Sequence, residues 1–188
     1  MASKASLYVI SGPSGVGKGT VCKALLAREK SLAYSVSATT RSRRPGEIDG
    51  VHYYFLSKEE FLRRVEAGEF LEWATVYDNY YGTLRPFVLE QLEHGRDVIL
   101  EIDTNGALQV KKLMPDAKLV FLEPPSEQEL LHRLVGRETE SPEEIAKRQQ
   151  CLAYEMSQKE YYDYAVVNDE VERAVDEIRQ IIARRRSE

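Results

Sequence analysis

The sequence predicts an α/β protein in which a parallel sheet is covered by helices and interrupted by two insertions. Three observations carry that expectation. Short apolar runs alternate with segments of helical period, the pattern of strands joined by crossover helices. The first apolar run leads directly into a glycine-rich turn and then a helix. Two stretches break the alternation, one aromatic-rich and one charged and helical.

Taken in order, Leu7 to Ile10 reads as a buried strand, followed by the glycine turn and a helix from Lys18 to about Arg28. Ala33 to Ser37 reads as a second strand. Asp97 to Ile102 (DVILEI) and Lys118 to Leu122 (KLVFL) are further buried strands, with Ala107, Val110 and Leu113 marking the buried period of a helix between them. Tyr164 to Val167 supplies the last strand. A closing helix from about Glu170 is expected to bury Val171, Val175, Ile178 and Ile182. Its ending, Arg184 to Arg186, reads as a solvated helix end, where cations suit the C-terminal dipole.

The first interruption runs from about Val36 to Val88, with strand-like pieces (VHYYFL, FLEWATVY) around one short helix that opens with Ser57 and Glu60 at capping-box spacing. The second runs from about Ser126 to Ser157. It shows the same spacing at Ser126/Glu129 and Ser141/Glu144, and Pro142 stands at a natural first helical position. Both are expected over the C-terminal edge of the sheet, where ligands bind in open α/β folds.

Composition limits the partners. A chain of 188 residues with 43% hydrophobic residues can bury a real core as a single domain with inserted lobes. With 31 acidic against 26 basic residues, the net charge of -5 provides no broad field for a nucleic-acid backbone, so any positive site is local. Cys22 and Cys151 lie far apart without metal-ligand spacing, which reads as reduced thiols. The start, MASKAS, lacks the apolar core of a signal peptide, and no apolar run approaches the ~20 residues that span a bilayer. A cytoplasmic protein without membrane contact is the expectation.

The strand at Leu7 to Ile10 enters SGPSGVGKGT, Ser11 to Thr20, and then the helix. This is a phosphate-binding loop in its required context: glycines let successive N–H groups turn inward, and the helix N-terminus adds partial positive charge. Gly12, Pro13, Ser14, Gly15, Val16, Gly17, Lys18, Gly19 and Thr20 are therefore the candidates for holding the phosphates of a nucleotide, which the resemblance named below makes ATP, with Lys18 reaching the outer phosphates. The strict pattern places Ser or Thr directly after the lysine to help hold Mg²⁺. Here Gly19 intervenes and the hydroxyl belongs to Thr20.

A second anion site is suggested by TRSRRPGEIDGVHYY, Thr40 to Tyr54. Alone, Arg41, Arg43 and Arg44 would read as a solvated basic loop. Tyr53 and Tyr81 can donate phenolic hydrogen bonds, and Ser37 precedes the cluster at a strand end. Since the guanidinium fork suits a terminal phosphate, the cluster becomes a candidate for the phosphate of a second substrate.

At this point the chain resembles the guanylate kinase family. SGPSGVGKGT, SVSATTRSRRPGEIDGVHYYF, GEFLEWATVYDNYYGT, VILEID, the PPS…RLVGR stretch and VVND follow that family's order and spacing over nearly the whole chain. The resemblance implies a core with a five-stranded parallel sheet (1–35, 89–125 and 158–188), a mixed-sheet lobe that binds GMP (36–88) and a helical lid over ATP (126–157). It implies transfer of the terminal phosphoryl group of ATP to GMP, and to dGMP as well, with Mg²⁺ held by the phosphates, Thr20 and, as a second candidate, Asp103. By that pattern Ser37, Arg41, Arg44, Tyr53 and Tyr81 hold the GMP phosphate and Glu72 and Thr83 read guanine. Asp103 stands between the base and the metal region, with Glu101 beside it. Lys18, Arg41 and the lid residues Arg133, Arg137 and Arg148 act on the transferring phosphoryl group.

The chemistry agrees with these roles. An ionised Glu72 only accepts hydrogen bonds and guanine offers two adjacent donors, whereas adenine presents a bare acceptor. The acceptor oxygen is already ionised, so no His/Asp catalytic pair is needed, and His52, His94 and His132 read as bystanders. Arg133 and Arg137, four apart, would share one face of a continuous helix. Two departures from the pattern stand out: Thr104 and Asn105 where an aromatic and a glutamine are frequent, and Glu138 in place of a lid glycine.

Three other readings remain at this stage. A kinase for a phosphorylated sugar would lack the Glu72/Thr83 pair. A non-enzymatic binding module would have a degraded phosphate loop. A GTPase would carry Asn-Lys-x-Asp, and Asn168-Asp169 lacks the lysine.

Overall fold

The computed structural model describes residues 5–76, 78–126, 128–131 and 142–187, and of the side chains in 142–148 only that of Ala146. Two sheets organise the chain. The first is five-stranded and wholly parallel, in the order β2-β7-β1-β8-β9, from β1 (Leu7–Ser11), β2 (Ala33–Tyr34), β7 (Val98–Glu101), β8 (Lys118–Glu123) and β9 (Tyr164–Val167). The second is mixed, in the order β4-β3-β6-β5, from β3 (Ala38–Thr39), β4 (Tyr54–Phe55), β5 (Phe70–Val76) and β6 (Asn79–Leu84). A parallel core with an inserted mixed-β lobe is the fold class that the sequence predicts.

Alternation along the parallel strands distributes the core to both faces of the first sheet. Tyr8, Ile10, Ile99, Val120 and Leu122 face one way and pack with Val21 and Leu25 of α1 (Lys18–Arg28) and with Val175 and Ile178 of the last helix, α6 (Val171–Ser187). Leu7, Val9, Val98, Leu100 and Leu119 face the other way. They meet Val88 of α3 (Arg85–Glu93) and Ala107 and Val110 of α4 (Thr104–Leu113). The inserted lobe has its own small core, where Phe61 of α2 (Lys58–Glu66) stacks on Phe70 at 4.4 Å and on Tyr80 at 5.4 Å. Capping fixes several helix starts: the Ser57 hydroxyl accepts from Glu60 N–H, and Ser126 does the same for Glu129 ahead of a helical turn over 128–131. The next described element is α5 (Pro142–Ser157). The proposed cap at Ser141/Glu144 lies outside the described residues.

Three expectations change. The strand expected over Ala33 to Ser37 divides, because Ser35 N–H still bonds to Ile99 O while the chain then crosses to the second sheet, where Ser37 O accepts from Tyr54 N–H. Leu113 is 61% exposed. Counting four residues on from Val110 leads to Met114, which packs against the core in its place. The arginines at the chain's end are not simply solvated: Arg186 donates to Asp97 at 2.7 Å, and the same carboxylate accepts from Ser6 N–H at 2.7 Å. This pair ties the last helix to the start of β7.

The connection after β1 leads out to β2, whereas the one after β7 passes over β1 to β8. Their opposite directions open a crevice at the strand ends, where this class of fold binds ligands. The register pairs Ile10 with Glu101, so the loop after Ser11 and the stretch Glu101 to Asp103 are neighbours there.

Candidate functional site

The loop from Gly12 to Gly17 leaves β1 and delivers the chain into α1 with Gly17 in the left-handed region, at φ 97°. Lys18 curls over the loop and donates to the carbonyls of Gly12 at 2.8 Å and Pro13 at 3.1 Å. Burial lowers its pKa, a charge held ready for anionic oxygens. Ser14 N–H donates at 3.2 Å to a carboxylate oxygen of Glu155, on α5. A backbone donor of the loop thus already holds an anion from the chain itself. Thr20 is exposed on the first turn of α1.

Gly19, the departure from the strict loop pattern, has a local reason. A Cβ there would stand 3.3 Å from Glu101 Oε1, closer than most such contacts. Glu101 accepts from the Tyr34 hydroxyl at 3.3 Å, and burial raises its pKa. The carboxylate at the end of β7 therefore crowds the place where a Ser or Thr side chain would begin.

Beside the loop lies a cavity of about 230 Å³ whose walls include Ser37, Tyr53, Glu72, Tyr81, Glu101 and Asp103. Residues 35 positions apart in the sequence, from Ser37 to Glu72, meet because β3, β5 and β6 are neighbours in the mixed sheet. Glu72 and Thr83 are register partners across β5 and β6, and the ladder shifts between Phe70 and Glu72. Such an irregularity re-aims a side chain. Both residues are buried, and the Thr83 hydroxyl donates to Glu72 Oε1 at 2.6 Å. Burial pushes the Glu72 carboxyl up to about 7, against the lowering effect of that hydrogen bond. The other oxygen approaches α4, where a Cβ on Gly106 would stand 2.9 Å away. Glycine at 106 leaves room for the carboxylate, and Asp103 fixes the same turn by accepting from Gly106 N–H at 2.7 Å.

Among the described residues no arginine lines this cavity. Arg41 lies over the Tyr53 ring, 5.5 Å from its centroid, and grips Glu47 with two hydrogen bonds of 3.0 and 2.8 Å. Tyr53 in turn meets Tyr81 edge to face at 6.0 Å. The Arg41 guanidinium holds the Glu47 carboxyl down to about 2. Arg44 contributes its backbone N–H to Glu47 while its side chain is exposed, as is that of Arg43. Glu47, which the sequence reading passed over, is the acidic residue in RSRRPGE that organises the cluster. Arg133 and Arg137 lie outside the described residues. Arg148 lies on α5, and its side chain is likewise outside them. His52 has a partner after all, its Nδ1 accepting from Ile48 N–H at 3.0 Å.

A sequence profile described as guanylate kinase matches residues 4–185. The chain belongs to the guanylate kinase family. It is 56% identical over 176 residues to the guanylate kinase of Caldanaerobacter subterraneus subsp. tengcongensis, a match spanning 94% of this chain and 85% of that protein. A guanylate kinase from Symbiobacterium thermophilum is 55% identical over 95% of this chain and 85% of its own length. Among solved structures, a crystal structure of guanylate kinase from Anaplasma phagocytophilum superposes with a TM-score of 0.79 at 32% identity, covering all of this chain and 89% of the other.

Among the described residues no group of three or more His, Cys, Asp or Glu side chains forms a metal cluster, and no helix is long and apolar enough to cross a membrane. Cys22 is buried, Cys151 is exposed, and both are free.

Proposed function

We propose that the chain transfers the terminal phosphoryl group of ATP to GMP, giving ADP and GDP, with the loop of Gly12 to Thr20 as the donor site and the cavity beside it as the acceptor site. Family membership makes it a nucleoside monophosphate kinase. The observation that carries the choice of acceptor is Glu72, buried on the cavity wall and bonded to the Thr83 hydroxyl. An ionised Glu72 accepts from guanine N1–H and N2–H₂, and the Thr83 hydroxyl is available to the base once Glu72 turns to it. Adenine would leave the carboxylate facing an acceptor, an unpaired buried group costing about 1–3 kcal/mol.

Ser37, Tyr53 and Tyr81 are assigned to the acceptor phosphate together with Arg41 and Arg44. Arg41 reaches it by exchanging one of its Glu47 bonds, and Arg44 by folding in from solvent. Lys18, with Arg133, Arg137 and Arg148, neutralises charge on the phosphoryl group as it passes between oxygens, so that alignment and electrostatics supply the rate. The fit of Mg²⁺ follows from the donor set. A magnesium ion carried by phosphates and water needs only one or two protein oxygens, and Thr20 and Asp103 offer them, Asp103 having committed one oxygen to Gly106. When bound, the ion neutralises the phosphate oxygens.

The core is assigned to 1–35, 89–125 and 158–188, the acceptor lobe to 36–88 and the lid to 126–157. dGMP as a second acceptor and a cytoplasmic location belong to the same proposal. Two variants test it. Arg44→Met should weaken GMP about ten- to a hundred-fold, the loss of one charge-assisted hydrogen bond, without admitting AMP. Glu72→Gln should lower the GMP-to-AMP ratio of kcat/KM. The reverse pattern would exchange or remove the roles given to base and phosphate residues.

A further inference from the structure

Asn168 directly follows β9 and is buried, yet no step of phosphoryl transfer uses it. Its side chain reaches 152 positions back along the sequence: Nδ2 donates to the carbonyl of Val16 at 2.8 Å. Its backbone N–H is anchored on Glu123 O, at the end of β8, at 2.8 Å. Its own Oδ1 is buried without a hydrogen-bond partner. Burying an amide with one end unsatisfied costs stability, so packing alone does not account for asparagine here.

The contact falls at the centre of the phosphate loop. The Val16 side chain is fully buried among Val21, Val166 and Val175, so the loop is held from below at this residue by both side chain and carbonyl. A trans peptide points its C=O and its N–H in opposite directions. With the Val16 carbonyl drawn to Asn168 beneath the loop, the N–H of Gly17 in the same plane turns to the opposite side. Gly17 itself has φ 97°, and a Cβ there would stand 2.7 Å from Asn168 Nδ2. Close approach of the amide and the left-handed turn both require glycine.

We propose that Asn168 is a positioning residue for phosphate binding: by holding the Val16 carbonyl it fixes the Val16–Gly17 peptide plane, so that Gly17 N–H is presented to the phosphate in advance. The inference rests on the reading of this loop as the donor-phosphate site. It acts through the backbone, so Asn168 needs no contact with the nucleotide.

The test uses Mg²⁺-tripolyphosphate, which carries the phosphates without a base and so removes any contact to adenine from the readout. Calorimetric titration of the full chain should show Asn168→Ala binding it about ten-fold or more weakly, in line with one misaligned charge-assisted bond, with GMP affinity unchanged. In steady state KM for ATP should rise while KM for GMP stays. Asn168→Asp should bind more weakly still at pH 8. Relative to wild type it should recover as the pH falls and the protonated carboxyl becomes a donor to Val16. A folded Asn168→Ala with wild-type tripolyphosphate affinity would overturn the proposal. If wild type itself failed to bind tripolyphosphate, the donor-site reading would fall, and the proposal with it. Should neither variant fold, exchange of the Asn168 side-chain amide protons in the wild type decides: slow exchange is expected, and exchange at the rate of a free amide would contradict the strut.

Discussion

Glu72 has the environment most altered from water of any group in the acceptor cavity. Burial raises its carboxyl to about 7, so near neutral pH the empty site holds a mixture of acid and carboxylate. Guanine binding needs the carboxylate. Guanosine affinity should therefore be highest above pH 8 and fall as the pH drops through 7, approaching ten-fold per unit below it. Guanosine is the right probe because the second ionisation of the GMP phosphate, near 6, would overlap. Glu72→Gln should flatten the profile, and titration calorimetry in buffers of different ionisation enthalpy should show proton release for the wild type alone. Stability runs in the opposite sense. A carboxyl raised above its unfolded value of 4.5 contributes stability that is fully present below pH 4.5 and is lost as the pH rises through about 7. The same burial that makes the site selective thus disfavours its working state until guanine arrives.

At the scale of elements, the two ends of the chain are joined by one carboxylate. Asp97 is buried and accepts from Ser6 N–H and from Arg186. Asp97→Ala should lower stability by about 1–3 kcal/mol, chiefly through the unsatisfied Ser6 N–H, because Arg186 is partly exposed and can return to water. Denaturant midpoints should move while KM for both substrates holds. That link was hidden in the sequence, where three arginines closing a helix have a sufficient reason in solvent and dipole. The central parallel strands β1, β7 and β8 were legible because both of their faces are buried and each reads as a continuous apolar run. The division of Ala33 to Ser37 was not, because a strand passing between two sheets keeps the same local composition. For the site, the loop Gly12 to Thr20 declares itself locally. Glu72 and Thr83 required the family pattern to be read as a pair, since their meeting depends on the register of β5 against β6. Asn168 was missed for the same reason, since its partner Val16 lies 152 positions away; Glu47 has local partners, Arg41 and Arg44, and was passed over because the loop geometry that joins them is not written in the composition. The motif VVND carried the signal for Asn168, a polar residue directly following the edge strand β9.

For the whole molecule, the glycine loop leaves the parallel sheet, while most of the cavity's walls come from the inserted segment 37–82, so the proposed transfer would have the inserted segments work against the core. GMP together with a non-hydrolysable ATP analogue should make the protein more compact than either ligand alone, since each stabilises closure of the segment it touches. Small-angle scattering reports this as a smaller radius of gyration, and an unchanged radius with both ligands would count against closure. Under the proposed assignment the Arg41–Glu47 ion pair and the Ser14–Glu155 contact would loosen as the phosphates enter. Both show charged groups of the chain already engaged at the positions assigned to substrate oxygens. Whether the cavity reads guanine is decided by one experiment: a coupled assay of ADP release with AMP, GMP, CMP and UMP as acceptors. Turnover with GMP, at a kcat/KM at least tens-fold above that with AMP and with both pyrimidines near background, is expected from the buried carboxylate of Glu72. Equal rates across the four, or a preference for AMP, would contradict it.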